Sequence, residues 1–186
     1  VCFSPIHDRN LPKGLDGLIL GGGYPENYAE KLSSNEEMLQ SIREAWLAGM
    51  PVLAECCGYL YLLKDVEEEN GTGYEMAGVC SGKGFKKGKN SHFGYITVET
   101  ESDSLYLKAG ERIKGHEFHY WESTQDENEL KMQAQKPTGK RGWPCVTIKN
   151  QVMAGFPHLY YPSMEGFGKR FIQACDTYRK KRERQH

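Results

Sequence analysis

Cys56 occupies a position suited to a nucleophile. Pro51-Val-Leu-Ala54 reads as a buried strand, Tyr59 to Lys64 as the start of a helix, and Glu55-Cys56-Cys57-Gly58 as the sharp junction between them. A side chain raised on such a bend stands clear of a sheet, and the facing helix N-terminus favours a thiolate. The bend needs small flanking residues, which Ala54 and Gly58 supply; the spacing resembles G-x-S-x-G with Ala in the first position. Cys57, adjacent and equally a thiol, is the alternative nucleophile, and a buried small hydrophobe is the bland reading of either. Glu55 is out of place beside a buried strand and invites a polar role.

A thiolate attacking an amide carbonyl needs oxyanion donors and a proton shuttle. The N–H of Cys57 and one from Gly22 or Gly23 are the candidate donors, because a loop without side chains can approach a substrate closely. The shuttle must be one of six histidines, His7, His92, His116, His119, His158 or His186. Spacing alone does not choose among them. His116 and His119 lie in the string Gly-His-Glu-Phe-His-Tyr, whereas His158 follows Pro157 just beyond an apolar run.

The positioning elements follow from the pattern. Asp16 to Gly21 reads as a strand running into the Gly21–Gly23 loop. Residues 33–48 read as a helix, with Ser34 as N-cap, Glu37 completing a capping box and Gly49 as the stop. Strand, helix, strand, elbow, helix implies an α/β fold: a three-layer, open, mostly parallel sheet with helices on both faces. Ligands bind such sheets beyond the carboxyl ends of the strands, where both the glycine loop and the elbow fall. Gly82 to Lys89 reads as a mobile surface loop, 93–100 and 113–121 as strands, and 122–142 as a polar stretch of weak pattern. Cys145 to Lys149 and Val152 to Ala154 form a strand pair around Asn150-Gln151. Pro162 to Tyr178 is a closing helix, and Arg179 to Arg184 a solvated, frayed basic end.

Length and composition bound the class. At 186 residues the chain is long enough for one domain with a sizeable core. Twenty-four basic against 25 acidic residues give a net charge of −1, which offers no basic face for nucleic acid. The longest apolar run, Tyr59 to Leu63, is far too short to cross a bilayer. Six cysteines without a C-x-x-C spacing read as reduced thiols of a cytoplasmic protein, with no metal site expected. Val1 opens in what reads as the middle of a strand, so the chain is expected to be a piece of something longer.

Several strings together resemble one family, the glutamine amidotransferase domain of cobyrinic acid a,c-diamide synthase. They are Phe3-Ser-Pro5, Leu20-Gly-Gly-Gly-Tyr-Pro-Glu26, Asn35, Ala54-Glu-Cys56, Tyr61-Leu62, Met76-Ala-Gly78, Gly94-Tyr95, Gly115-His-Glu-Phe-His-Tyr120 and the segment from Gly155 to Tyr161. The resemblance implies a class I, triad-type amidotransferase fold of flavodoxin-like layout over residues 1–186. It also implies hydrolysis of glutamine to glutamate and ammonia. Ammonia would pass to an upstream ATP- and magnesium-dependent synthetase domain that amidates the a and c carboxylates of a corrinoid. That domain would hold the ATP and magnesium, so no cofactor is expected within these residues. Glutamine, the corrinoid and a homodimer are the partners expected, with no nucleic acid or membrane.

By position, the resemblance implies Cys56 as nucleophile and His158 as its partner. It also implies that His116, Glu117 and His119, with Glu55, shape the site or an interdomain channel. Two departures stand out. Cys57 replaces a Gly that usually follows the nucleophile, and Tyr160 stands where many relatives carry a carboxylate, so the resemblance implies a Cys–His dyad with nothing orienting the imidazole. The competing readings are a sister amidotransferase domain (cobyric acid synthase or nickel-sirohydrochlorin a,c-diamide synthase), a stand-alone cysteine hydrolase, and a non-catalytic binding module.

Overall fold

The computed structural model describes residues 1–23, 27–88, 92–104, 106–125, 129–138 and 141–184. Tyr24-Pro25-Glu26 and His186, prominent in the sequence, lie outside the described residues.

The edge strand β1 (Leu18–Leu20) is followed by two helices, α1 (Ala29–Ser34) and α2 (Glu36–Leu47), and then by β2 (Val52–Glu55), which pairs with β1 in parallel. The cap of α2 is Asn35, not Ser34. Its side-chain oxygen accepts from the Met38 N–H at 3.4 Å, while its amide donates to the carbonyls of Pro5 and Asp8 at 2.7 and 2.8 Å. The polar group that fits here also ties down the N-terminal segment, and Val1–Phe3 form no strand. Gly49, at φ +86°, ends the element as expected.

Helix α3 (Cys57–Leu62) begins directly at the elbow, two residues earlier than the pattern suggests. A small second sheet follows, built from β3 (Asp65–Glu67), β4 (Gly73–Glu75) and β5 (Lys83–Lys86), and later joined by β8 (Trp121–Ser123), in the order β4-β3-β5-β8. The glycine-lysine stretch expected to be a loop is thus partly a strand. A Cβ at Gly84 would lie 2.7 Å from Leu60 and 3.1 Å from Val66, so the missing side chain is what lets β5 lie on α3. Lys89 lies outside the described residues.

The main sheet is completed by β6 (His92–Thr100), β7 (Arg112–His119), β9 (Leu130–Gln135), β10 (Gly142–Lys149), β11 (Val152–Gly155) and β12 (His158–Leu159). Its order is β1-β2-β11-β10-β9-β6-β7-β12. The α/β class and the helices on both faces hold; the mostly parallel sheet does not. Among the described residues only β1, β2 and β11 run parallel in it, and every other pairing is antiparallel. The reason is connective. Parallel neighbours need crossovers of about a dozen residues or more, usually helical. Among the described residues no helix lies between β6 and β11, so those strands return as hairpins. One of these turns on Asn150 at φ +54°.

Strands β2 and β11 are buried on both faces. Val52, Ala54, Val152 and Ala154 pack with α1–α3, whereas Leu53 and Met153 pack with Phe167 and Phe171 of α4 (Phe167–Glu183). Alternate residues of one strand therefore feed two cores, which gives the three layers. Helix α4 starts later than expected, after a 3₁₀ turn at Tyr161–Ser163, and continues through the basic tail. Arg182 there donates to the Leu15 carbonyl and pairs with Asp16 at 2.9 Å, anchoring the entry to β1.

The elbow depends on a close approach. A Cβ at Gly58 would lie 2.3 Å from the Leu20 carbonyl oxygen, a backbone atom that cannot give way. Gly58→Ala is therefore expected to lower stability by about 3 kcal/mol, measured by urea denaturation. A change within 0.5 kcal/mol, roughly the size of a surface substitution, would show that α3 does not lean on β1 in this way.

Candidate active site

Cys56 closes β2 and opens α3 with φ 51° and ψ −107°, a left-handed backbone that is costly for a residue carrying a Cβ. Hydrogen bonds hold it on each side. Its N–H donates to the Gly155 carbonyl at 2.8 Å and its carbonyl accepts from the Leu60 N–H at 3.0 Å. Two residues further on, the Gly58 N–H donates to the Gly21 carbonyl at 3.0 Å, which ties the elbow to the glycine loop. The two thiols face differently. The Cys56 side chain stands against the His158 imidazole, near enough to shift its titration. The Cys57 sulfur lies 3.6 Å from where a Cβ on Gly23 would sit, and lines a cavity of about 450 Å³ together with Phe3, Gly21, Gly22, Gly23 and Tyr61.

His158 lies on β12, a two-residue strand paired with β7 in the register His158–His116 and Leu159–Gly115. Gly115 makes that pairing possible, because a Cβ there would be 2.9 Å from the His158 carbonyl oxygen. Gly22 approaches the imidazole from the other side; a Cβ on it would lie 2.7 Å from His158 Cε1. The glycine loop, the elbow and His158 therefore converge.

The imidazole does have an orienting carboxylate. Glu55 Oε2 stands 3.6 Å from His158 Nδ1. Glu55 Oε1 accepts from the Tyr161 hydroxyl at 2.7 Å and from the Leu159 N–H at 3.2 Å, and Tyr161 stacks on Phe167. The expectation of an unoriented dyad rests on Tyr160, which is exposed. The carboxylate arrives instead from the residue before the nucleophile. Sequence reasoning misses Tyr161 altogether; an acidic residue ending an apolar strand is the one available signal.

The remaining sequence candidates divide between the two faces of β7. His116 faces outward, with Phe93 and Tyr95 edge-on to its ring. Glu117 and His119 are buried on the inner face. Burial pushes the Glu117 carboxyl up to about 7 and the His119 imidazole down; burial likewise pushes the nearby His92 imidazole down to about 4. Glu117 and His119 lie within electrostatic reach of His158, and His119 stacks on Phe156 at 4.2 Å, two residues before His158.

Residues 1–165 match the CobB/CobQ-like glutamine amidotransferase domain family. The chain belongs to this family. It is 40% identical over 180 residues to a cobyrinate a,c-diamide synthase of Caldanaerobacter subterraneus subsp. tengcongensis, an alignment covering 96% of this chain and 40% of that protein. It is 38% identical over 175 residues to a cobyrinate a,c-diamide synthase of Picrophilus torridus, covering 94% and 37% respectively. The chain thus spans about two fifths of the length of the curated relatives it matches. Two solved structures share the fold. One is a glutamine amidotransferase with TM-score 0.61 and 16% identity, covering 88% of this chain and 81% of the other. The second is named for a GMP synthase of Thermoplasma acidophilum, with TM-score 0.58 and 20% identity, covering 96% and 82%. The class I amidotransferase-like fold implied by the sequence resemblance is therefore correct.

The Cys56 sulfur as acceptor for the imidazolium N–H, and after it the Glu55 carboxylate, push His158 up to about 10, against an opposing effect of burial. A folded-state value above the ordinary value of about 6.5 means that His158 stabilises the fold fully below about pH 6.5 and loses that contribution as pH rises towards 10. The stability advantage of the wild type over His158→Gln should accordingly shrink between about pH 7 and pH 10 in denaturant titrations. An advantage that stays constant over that range would contradict the contact.

Proposed function

We propose that this chain is a glutaminase domain that supplies ammonia for ATP-dependent amidation of the a and c carboxylates of cobyrinate. The observation that carries the reading is the contact between the elbow thiol of Cys56 and the imidazole of His158, in a chain of an amidotransferase family. With Nδ1 turned to Glu55, the Nε2 of His158 is left for the sulfur.

The chemistry follows from that geometry. His158 holds the proton that Cys56 gives up, and the sulfur attacks the carboxamide carbon of glutamine, forming the C–S bond. Backbone N–H groups of Cys57 and of Gly22 or Gly23 stabilise the oxyanion, as expected of a nucleophile elbow beside a glycine loop. His158 protonates the leaving nitrogen as the C–N bond breaks, and ammonia departs. A water molecule, deprotonated by His158, then hydrolyses the thioester to glutamate and restores the thiol. Glu55 acts through His158: it fixes the tautomer and stabilises the imidazolium, while Tyr161 and the Leu159 N–H keep its carboxylate in place.

Ammonia would then reach an ATP- and magnesium-dependent synthetase partner, fused or separate, that activates the corrinoid carboxylates as acyl phosphates. The shared identity with cobyrinate a,c-diamide synthases supports cobyrinate as the acceptor. No disulfide joins cysteines among the described residues, which supports a cytoplasmic setting.

Two variants test the reading, each assayed with the synthetase partner present. Cys56→Ser should lower glutamine-dependent amidation of cobyrinate by about a thousandfold or more, while amidation driven by ammonium salt persists. Wild-type glutamine turnover in Cys56→Ser, or loss of the ammonium-driven reaction as well, would defeat it. Glu55→Gln should lower kcat roughly tenfold to a hundredfold with KM for glutamine nearly unchanged, and should move the titration of His158 to lower pH. An unaltered pH profile would remove Glu55 from the mechanism.

A further inference from the structure

The ends of β6 and β7 hold a second cluster to which the proposed mechanism assigns no step. His92 and His119 face each other in register across the two strands, and Glu117 lies two residues from His119 on the same face. One donor atom from each residue lies within 4.8 Å of the other two. His119 is 4% exposed and Glu117 1%.

Two of these donors, His119 Nε2 and Glu117 Oε2, are buried with no hydrogen bond among the described residues, although the Trp143 indole N–H stands near enough to Glu117 to favour its carboxylate form. Buried polar atoms are almost always satisfied, so this pair calls for a group that can answer both a lone pair and a carboxylate oxygen at once. A cation does so. A proton held by Glu117 would also do so, and the cobalt titration below separates the two; what suits a metal ion is the set of the imidazole. His119 Nδ1 lies 2.6 Å from the Trp121 carbonyl, which can only accept, so the proton sits on Nδ1 and the lone pair of Nε2 points into the cluster. Metal-ligating imidazoles are held in the same way, by a carbonyl or carboxylate on the far nitrogen. His92 stacks on Trp143 at 4.1 Å with its Nδ1 3.9 Å from Glu117 Oε2. Beside them lies a cavity of about 220 Å³, lined by Tyr59, Glu122 and Trp143 among others, with room for a water molecule on a fourth position.

We infer that His92, Glu117 and His119 bind one divalent transition-metal ion of the zinc class. Two imidazoles and one carboxylate suit zinc, with the donors standing about 3.4 Å apart at coordination distances of about 2.1 Å, so shifts of less than roughly 1 Å per side chain close the set. A bound ion would fix the β6–β7 edge and, through the stack of His119 on Phe156, the segment that leads to His158.

Cobalt(II) is the direct probe. The purified chain, stripped with a chelator and titrated with Co²⁺, should bind one ion per molecule, develop the visible ligand-field bands of a four-coordinate site without sulfur-to-metal charge transfer, and denature at a higher temperature than the stripped form. Zinc should displace the cobalt. His92→Ala, at a half-buried position, and the isosteric Glu117→Gln should each weaken binding roughly tenfold or more, whereas Cys56→Ser with Cys57→Ser should bind as the wild type does. Absence of ligand-field bands would overturn the assignment. So would binding that survives both cluster variants but is lost with the two cysteines. Neither result bears on glutamine hydrolysis, which the cysteine variant removes while leaving this site intact.

Discussion

The contact between Cys56 and His158 is the constraint around which the rest of the chain is arranged. The two residues lie on different strands, one at the end of β2 and the other on β12, and neither strand alone could bring them together. Cys56 must adopt a left-handed backbone to lift its sulfur off the sheet, and that strain is tolerated because bonds from Gly155, Leu60 and the glycine loop determine the elbow on every side. His158 is delivered by a two-residue strand whose register is set by β7. Glu55 then links the two halves, since its backbone belongs to the elbow strand and its side chain to the imidazole.

Close backbone approach is the means used throughout. Gly58 brings α3 against β1, Gly22 lays the loop against the imidazole, Gly115 seats β12 on β7, and Gly84 lets the second sheet lie on α3. The high glycine content, 21 residues, therefore reflects contact as much as turning. The same edge of the main sheet carries the His92, Glu117 and His119 cluster on its inner face. A metal ion there would brace the edge strands from which His158 is hung, which gives the buried polar groups a role consistent with the arrangement of the active site.

Much of the site is readable in the sequence because its signals are local. Small residues around Cys56, three glycines ending a strand, and apolar runs of strand length each report on their own neighbourhood. The parts that cannot be read depend on partners distant in the chain. Lys83-Gly-Phe-Lys86 has no apolar alternation, and its strand character comes from Leu60 and Val66 beneath it. Leu130, Met132 and Ala134 do alternate, but within a polar stretch too short of apolar residues to stand out as β9. Glu55 is noticeable as a charge at the end of a buried strand, yet nothing local indicates that it serves His158, or that Tyr161 holds it. The mostly parallel sheet is an extrapolation from the first third of the chain, where helices do intervene; among the described residues from β6 to β11 they do not.

The central claim is that one sulfur, that of Cys56, is presented to substrate and activated by His158. Its most direct test is alkylation of the chain by a glutamine-like electrophile, with the modified thiol located by mass spectrometry. The account predicts that Cys56 is labelled ahead of the other five cysteines, that glutamine protects it, and that His158→Gln slows the labelling. Label confined to Cys57, or spread evenly over the exposed thiols without protection by glutamine, would contradict it.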